Sequence, residues 1–175
     1  KNSEKSTQTH IAIEETRINE IIDAFKCPVC SKRVRLKACN SIICPKDHCF
    51  DISRSGYINL LLKPSKHKYD KETFESRSII CKKGFFDPMI ESVAGLIDKF
   101  ISGNSSNNDD SSGNRSCARI LDAGCGEGYH LYKVMKVLQD KRDIHTQGIG
   151  IDISKDGIQI AAKNYKDITW CVADL

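Results

Sequence analysis

Two short chelating pairs constrain this chain more than any other feature. Cys27-Pro-Val-Cys30 is followed, thirteen residues on, by Cys44-Pro-Lys-Asp-His48. A C-x2-C pair and a C-x3-H pair, brought together by a hairpin, supply four nitrogen and sulfur ligands at the corners of a tetrahedron, which is what zinc requires. The stretch is too poor in apolar side chains to fold alone, so metal binding supplies much of its folding free energy. With all four corners taken by protein, such a site is structural rather than catalytic. Cys39 and Cys49 compete for places in it. Cys49 would make the set all-cysteine, and Cys39 would change the loop. His48 is preferred because Cys44 and His48 can bind together while the chain continues freely into Phe50. The alternative without metal is reduced cysteines serving as small core hydrophobes. The chain has 9 cysteines, an odd number, of which five cluster at residues 27–49 while Cys81, Cys117, Cys125 and Cys171 are scattered, which argues for metal rather than disulfides.

The same region is strongly basic. Residues 26–83 carry fourteen basic and five acidic side chains, a balance of +9, while the remainder carries −5. Such a surface suits a polyanion, although lysines also simply keep small modules soluble. A metal cluster inside the basic stretch favours nucleic acid, with Lys32, Arg33, Arg35, Lys37, Lys46 and Arg54 as candidate phosphate contacts. Tyr57, in SGYIN, is either a platform for stacking on an RNA base or a core residue.

At roughly 100–200 residues per domain, 175 residues allow one full domain and a small module. Ile11, Ile13, Ile18, Ile21, Ile22 and Phe25 are spaced for a short amphipathic helix, giving an N-terminal extension over 1–26. The metal module occupies 27–69, with short strands and turns. Residues 70–101 read as a helical connector broken at Gly84 and Pro88. Residues 102–116 have no aliphatic or aromatic side chain and read as a flexible linker. From 117 to 175 the pattern is regular: strand 119–123, glycine turn 124–128, helix 129–140, strand 147–152, helix 153–165, strand 168–174. This alternation implies an α/β fold with a parallel, Rossmann-like sheet, shown here only through its first three strands. A chain that starts at Lys1 and stops at Leu175, halfway through such a sheet, is expected to be a piece of a longer protein. Its first strand should then have an unpaired edge, making the piece inert and prone to self-association, including a homodimer. No apolar stretch nears the roughly 18 residues that span a bilayer, and the start lacks a signal peptide's hydrophobic region, so no membrane partner and a cytoplasmic location are expected.

The glycine turn carries the second chemistry. In Leu121-Asp122-Ala123-Gly124-Cys125-Gly126-Glu127-Gly128 a buried strand enters a turn that lets a ligand approach the backbone, and the next helix aims its N-terminus there. Asp152, ending the next strand, is placed to bind both ribose hydroxyls of a nucleoside. The G-x-G-x-G spacing differs from the dinucleotide fingerprint, and the Asp122 carboxylate would repel phosphate while attracting an ammonium group. S-adenosylmethionine therefore fits better than NAD. Asp174, at the end of the third strand, either meets the adenine or caps its strand. Cys125 has no base beside it and reads as a small residue whose backbone matters. Tyr129 and His130 read as partly exposed helix residues, and Trp170 as core.

In order, C-P-x-C, C-P-x-x-H-x-F-D, S-G-Y-I-N-L-L, G-F-F-D-P and L-D-A-G-C-G-E-G-Y resemble the bacterial 23S ribosomal RNA guanine-N1 methyltransferases of the RlmA type, over residues 27–175. The resemblance implies a zinc-binding RNA-recognition module joined to a class I S-adenosylmethionine methyltransferase domain that methylates a guanine in a hairpin loop of 23S rRNA. It implies Cys27, Cys30, Cys44 and His48 as zinc ligands and Gly124, Cys125, Gly126, Glu127 and Gly128 as the cofactor turn. Phe86 stands where relatives can have a tyrosine that touches the cofactor, so here only packing or stacking is implied.

Overall fold

A computed structural model describes residues 16–37, 40–63, 71–104 and 118–174. The chain enters through helix α1 (residues 16–21) and a 3-10 turn at Ile22–Ala24. The three- and four-residue spacing read from the sequence buries Ile18, Ile21 and Phe25. Three short strands follow, β1 (Arg35–Lys37), β2 (Ser41–Ile43) and β3 (Cys49–Asp51), in an antiparallel meander. Register pairs Leu36 with Ile42 and Ile42 with Phe50. The three therefore share one face, which packs in a single cluster with Ile18, Ile21 and Phe25.

The next element departs from the sequence reading. Ile58–Asn59 forms a two-residue strand, β4, which joins the sheet of the following α/β unit rather than the meander. It runs parallel to β7 (Thr169–Val172), with Ile58 opposite Cys171 and Asn59 opposite Val172. Just beyond it, the Leu60 amide donates to the Val172 carbonyl at 2.8 Å. Helices α2 (Lys71–Lys82) and α3 (Asp87–Asn104) come next. The expected break falls at Gly84, φ +81, but not at Pro88, which stands in the first turn of α3, where a proline is tolerated. Helix α3 runs three residues past the expected boundary at 101, and the rest of the expected linker, residues 105–116, lies outside the described residues.

The expected alternation then holds: β5 (Ala118–Ala123), α4 (Tyr129–Arg142), β6 (Thr146–Asp152), α5 (Lys155–Asn164), β7. The four parallel strands are ordered β4-β7-β6-β5. Both crossovers step in the same direction across the sheet, so α4 and α5 cover the same face. There Leu131, Val134, Leu138, Ile158 and Ala161 close over Trp170 and Val172. Side chains alternate along the strands, and Ile149 and Cys171 on the opposite face meet Ile42 and Phe50 of the meander and Ile18 and Ile21 of α1. One face of the sheet is thus packed by helices and the other by the metal module. Further ties cross between the units. Arg119 donates to Asp23 at 2.8 Å and to the Glu20 carbonyl at 2.8 Å, and Arg17 donates to the Lys166 carbonyl.

Among the described residues β5 has no strand on its outer side, and Leu121 is 58% exposed on it. Ion pairs hold α4 to α3, Lys141 with Glu91 and Arg142 with Asp98. Among the described residues no helix is long and apolar enough to cross a membrane.

Candidate metal centre and cofactor turn

Each half of the metal cluster is a tight turn that folds back on its own first cysteine. The Ser31 amide donates to the Cys27 carbonyl at 2.8 Å, and the Cys27 amide to the Lys32 carbonyl at 2.9 Å. In the second half the Asp47 amide donates to the Cys44 carbonyl at 3.0 Å, and the Cys44 amide to the His48 carbonyl at 3.1 Å. Both turns pass through a left-handed residue that is not glycine, Ser31 (φ +57) and Asp47 (φ +62).

These turns bring the four expected ligands together. His48 Nδ1 lies 3.4 Å from the Sγ atoms of both Cys27 and Cys44, and the Cys30 and Cys44 sulfurs are 3.6 Å apart. All four ligand atoms lie within 4.8 Å of one another. Tetrahedral zinc, with bonds of about 2.3 Å to sulfur and 2.0–2.1 Å to nitrogen, sets neighbouring ligand atoms roughly 3.6–3.8 Å apart. The donor set fits a zinc ion in both chemistry and size. Burial pushes the Cys44 thiol up, but hydrogen bonds from the Lys46 and His48 backbone outweigh it and bring the thiol down to about 7, favouring the thiolate a metal needs. Of the competing cysteines, Cys49 is exposed on β3 and stands outside the cluster, and Cys39 lies outside the described residues.

Lys32, Arg33, Arg35, Lys37, Lys46 and Arg54 are all exposed. Arg35 and Lys37 share a face of β1, and register places Asp51 of β3 on that same face, opposite the partner of Lys37. Tyr57 is only 6% exposed and belongs to the core, so the stacking alternative is removed.

At the end of β5 the chain turns through three left-handed glycines, Gly124 (φ +84), Gly126 (φ +57) and Gly128 (φ +81). They serve different ends. A Cβ on Gly128 would overlap the Trp170 ring, so Gly128 is there for packing. A Cβ on Gly124 would meet nothing within 4 Å, so its surface faces open space that a ligand could occupy. The amides of Gly124 and Cys125 donate to the Ile151 carbonyl at 2.8 and 3.0 Å, tying the turn to β6.

Asp152 completes that attachment. Its Oδ2 accepts from the Gly126 amide at 2.8 Å and its Oδ1 from the Ser154 amide at 2.7 Å. The carboxylate expected to bind ribose thus first fastens the turn, and any ribose hydroxyl must use its remaining lone pairs. Burial raises the carboxyl of Asp122, against the nearby charge of Arg77, with Asp152 raising it further. Glu127, expected among the cofactor contacts, turns its side chain inward instead. It is 1% exposed, with Oε2 3.6 Å from Arg77 Nε and Oε1 accepting from the Cys81 thiol at 3.8 Å. Cys125 is buried and its thiol is pushed up strongly by that burial, which accords with a backbone role. Asp174 is exposed just past β7, where the Ala173 amide donates to the Asp152 carbonyl at 3.1 Å.

Two residues of α2 complete the site and were missed by sequence reasoning. Phe74 is buried against the turn, its ring 3.3 Å from where a Cβ on Gly126 would be, and Arg77 lies beside it. The signal was the inward spacing of Phe74, Ser78 and Cys81 along α2, which gives that helix a buried face but does not say what it covers. Phe86 packs edge-on against His130 at 4.9 Å, at the opening of α4. His130 is partly buried as expected, whereas Tyr129 is 6% exposed and belongs to the core. As the first residue of α4, Tyr129 packs into the cluster shared by the helices and the sheet.

Comparison with known proteins matches both halves. A family profile for the RlmA N-terminal zinc ribbon covers residues 25–71, and one for a methyltransferase domain covers residues 114–174. The chain is 42% identical over 153 residues to YxjB of Bacillus subtilis strain 168, which carries a provisional 23S rRNA (guanine-N1)-methyltransferase name. That alignment covers 86% of this chain and 50% of YxjB. It is 27% identical over 156 residues to the 23S rRNA (guanine(748)-N(1))-methyltransferase of Streptomyces fradiae, covering 89% of this chain and 50% of that protein. The chain spans about half the length of the curated relatives it matches. Among solved structures, the plantazolicin methyltransferase BpumL in complex with a pentazolic desmethylPZN analog and SAH is 20% identical, with a TM-score of 0.38 over 61% of this chain and 35% of that one.

Proposed function

We propose that the chain is the zinc-ribbon and cofactor-binding portion of an RlmA-type, S-adenosylmethionine-dependent 23S rRNA (guanine-N1)-methyltransferase of the cytoplasm, a reading supported by a match to the RlmA N-terminal zinc ribbon leading into a match to a methyltransferase domain and by the likeness to YxjB. One observation carries this reading. A zinc-sized ligand cluster, in the module packed on one face of the sheet, and an open glycine turn, at the carboxyl end of β5 in that same sheet, belong to one folded unit joined through β4 and β7.

The residues present suit S-adenosylmethionine. Gly124 leaves room for close approach, Asp122 flanks the turn with negative charge, Asp152 and Asp174 stand at the strand ends, and Phe86 closes the side toward α4. When bound, S-adenosylmethionine supplies the methyl group that is transferred. The chain's own work is to hold that donor in place, which contributes by alignment, and to grip the nucleic acid. Lys32, Arg33, Arg35, Lys37, Lys46 and Arg54 contact phosphates, which positions the RNA without reading its sequence and weakens steeply with salt. The zinc supplies no chemistry to the reaction, since protein fills all four positions.

The test is methyl transfer by the full-length protein to protein-free 23S rRNA, with the modified nucleoside identified by mass spectrometry. One N1-methylguanosine per rRNA molecule is expected. Transfer to protein or to small molecules but not to rRNA overturns the reading. Calorimetry without any heat from S-adenosylmethionine would instead leave a pure RNA binder.

A further inference from the structure

The charged groups at the turn are mostly acidic, Asp122, Glu127 and Asp152, and α2 lays one cation over them. Arg77 Nε sits 3.6 Å from Glu127 Oε2, Nη2 lies 3.4 Å from His130 Nδ1, and Nη1 is 3.6 Å from where a Cβ on Gly126 would be. The guanidinium therefore rests on the turn itself. Its inner edge faces a buried carboxylate, and 44% of the side chain remains exposed. Glu127 Oε2 accepts no hydrogen bond, so this is a contact of charges rather than a closed two-bond fork. Arg77 keeps donors to spare, in the planar array that suits a carboxylate. Two residues before Gly126 in the same turn, Gly124 leaves open surface, and the half-buried Asp122 that precedes it lies within reach of the Arg77 charge. A cation and an anion at one open turn match a group that carries both charges itself, the α-amino acid. A phosphate would meet Arg77 favourably but Asp122 and Asp152 unfavourably.

We propose that Arg77 receives the carboxylate of the methionyl end of S-adenosylmethionine, with Asp122 taking its ammonium group. This rests on the reading that the turn holds that cofactor. Arg77 is a binding residue whose second contact, Glu127, keeps its guanidinium in position.

The test compares two ligands that differ only in that carboxylate, S-adenosylmethionine and its decarboxylated form, by calorimetry on the full-length protein. Two variants are used: Arg77→Lys, which keeps a cation over Glu127, and the double variant Arg77→Met with Glu127→Gln, which leaves no buried charge unpaired. The double variant is expected to weaken S-adenosylmethionine about tenfold to a hundredfold and its decarboxylated form by less than about twofold, with Arg77→Lys in between. Equal weakening of both ligands, or of neither, overturns the proposal and leaves Arg77 a purely structural partner of Glu127. Weakening of RNA alone also overturns it, assigning Arg77 to a phosphate. If the unaltered protein binds neither ligand, the cofactor reading fails as well, an outcome distinct from a failure of Arg77 alone.

Discussion

The metal cluster and the glycine turn both bend the backbone into left-handed conformations, and they tolerate it in opposite ways. In the ribbon the bent residues are Ser31 and Asp47, ordinary L-residues for which that conformation costs roughly 1–2 kcal/mol each. At the end of β5 they are Gly124, Gly126 and Gly128, for which it costs little. The ribbon can carry the strain because four ligands clamped on one ion over-determine its shape. The glycine turn has no clamp and is held by packing, against Trp170 at Gly128 and Phe74 at Gly126, and by the Asp152 carboxylate. Strain is admissible where a strong local bond enforces the geometry. Where weak contacts must do so, the residue has to fit without strain.

Removing the clamp tests the comparison most severely. Cys44→Ser, or stripping the metal with a chelator, should abolish bound zinc by elemental analysis and unfold β1–β3, since structural zinc contributes about 10–16 kcal/mol of apparent binding free energy in small ribbons. Amide exchange should also quicken at Leu60, whose amide donates to Val172, whereas the β5–β6 amides should stay protected. Full protection at β1–β3 in a zinc-free protein would mean that packing alone holds the ribbon.

Filling the packed turn should have the next largest effect. Gly128→Ala meets both a left-handed φ and the Trp170 ring, and should cost about 2–5 kcal/mol in denaturant unfolding. A cost below about 1 kcal/mol would show that the turn relaxes easily. Asp152→Asn keeps the shape but exchanges a charged acceptor for a neutral one at two backbone amides. It should lower stability by about 1–2 kcal/mol.

The mirror experiment on the ribbon should go the other way. Asp47→Gly relieves a left-handed L-residue, so it should leave zinc content unchanged and stability equal or higher by up to about 1 kcal/mol. Smallest of all for folding is the paired change Arg35→Ala and Lys37→Ala on the exposed face of β1, expected within about 0.5 kcal/mol. It should nevertheless reduce the salt dependence of RNA binding by about 0.7–0.9 in log–log slope per charge removed.

The same contrast explains what could be read from the sequence. The ligand set of Cys27, Cys30, Cys44 and His48 was legible because chelation is local: two short loops fix which atoms can meet. The β5–turn–α4 unit was legible because glycine spacing and the helical repeat of Leu131, Val134 and Leu138 are local as well. The long-range contacts were not. Ile58–Asn59 is too short to announce a strand, and its partner β7 lies far along the chain. The cover that Phe74 and Arg77 provide for the turn depends on how α2 docks. The inward turn of Glu127 depends on a partner in another helix. Tyr57 could not be assigned between surface and core from its neighbours alone, because what buries it is the cluster shared with the helices and β7, which forms only once β4 takes its place at the border of the sheet.

The loan of β4 to a neighbouring sheet has a practical corollary for anyone recombining such proteins. A ribbon cut away just past β3, after Ile52, leaves β4 with its host and loses the bridge between Ile52 and Ile58, while a ribbon cut after Leu60 takes β4 with it and exposes the rim of β7. Exchange between relatives should therefore transfer residues 58–60 and the matching stretch of β7 as one cassette, because neither side of the seam is complete alone.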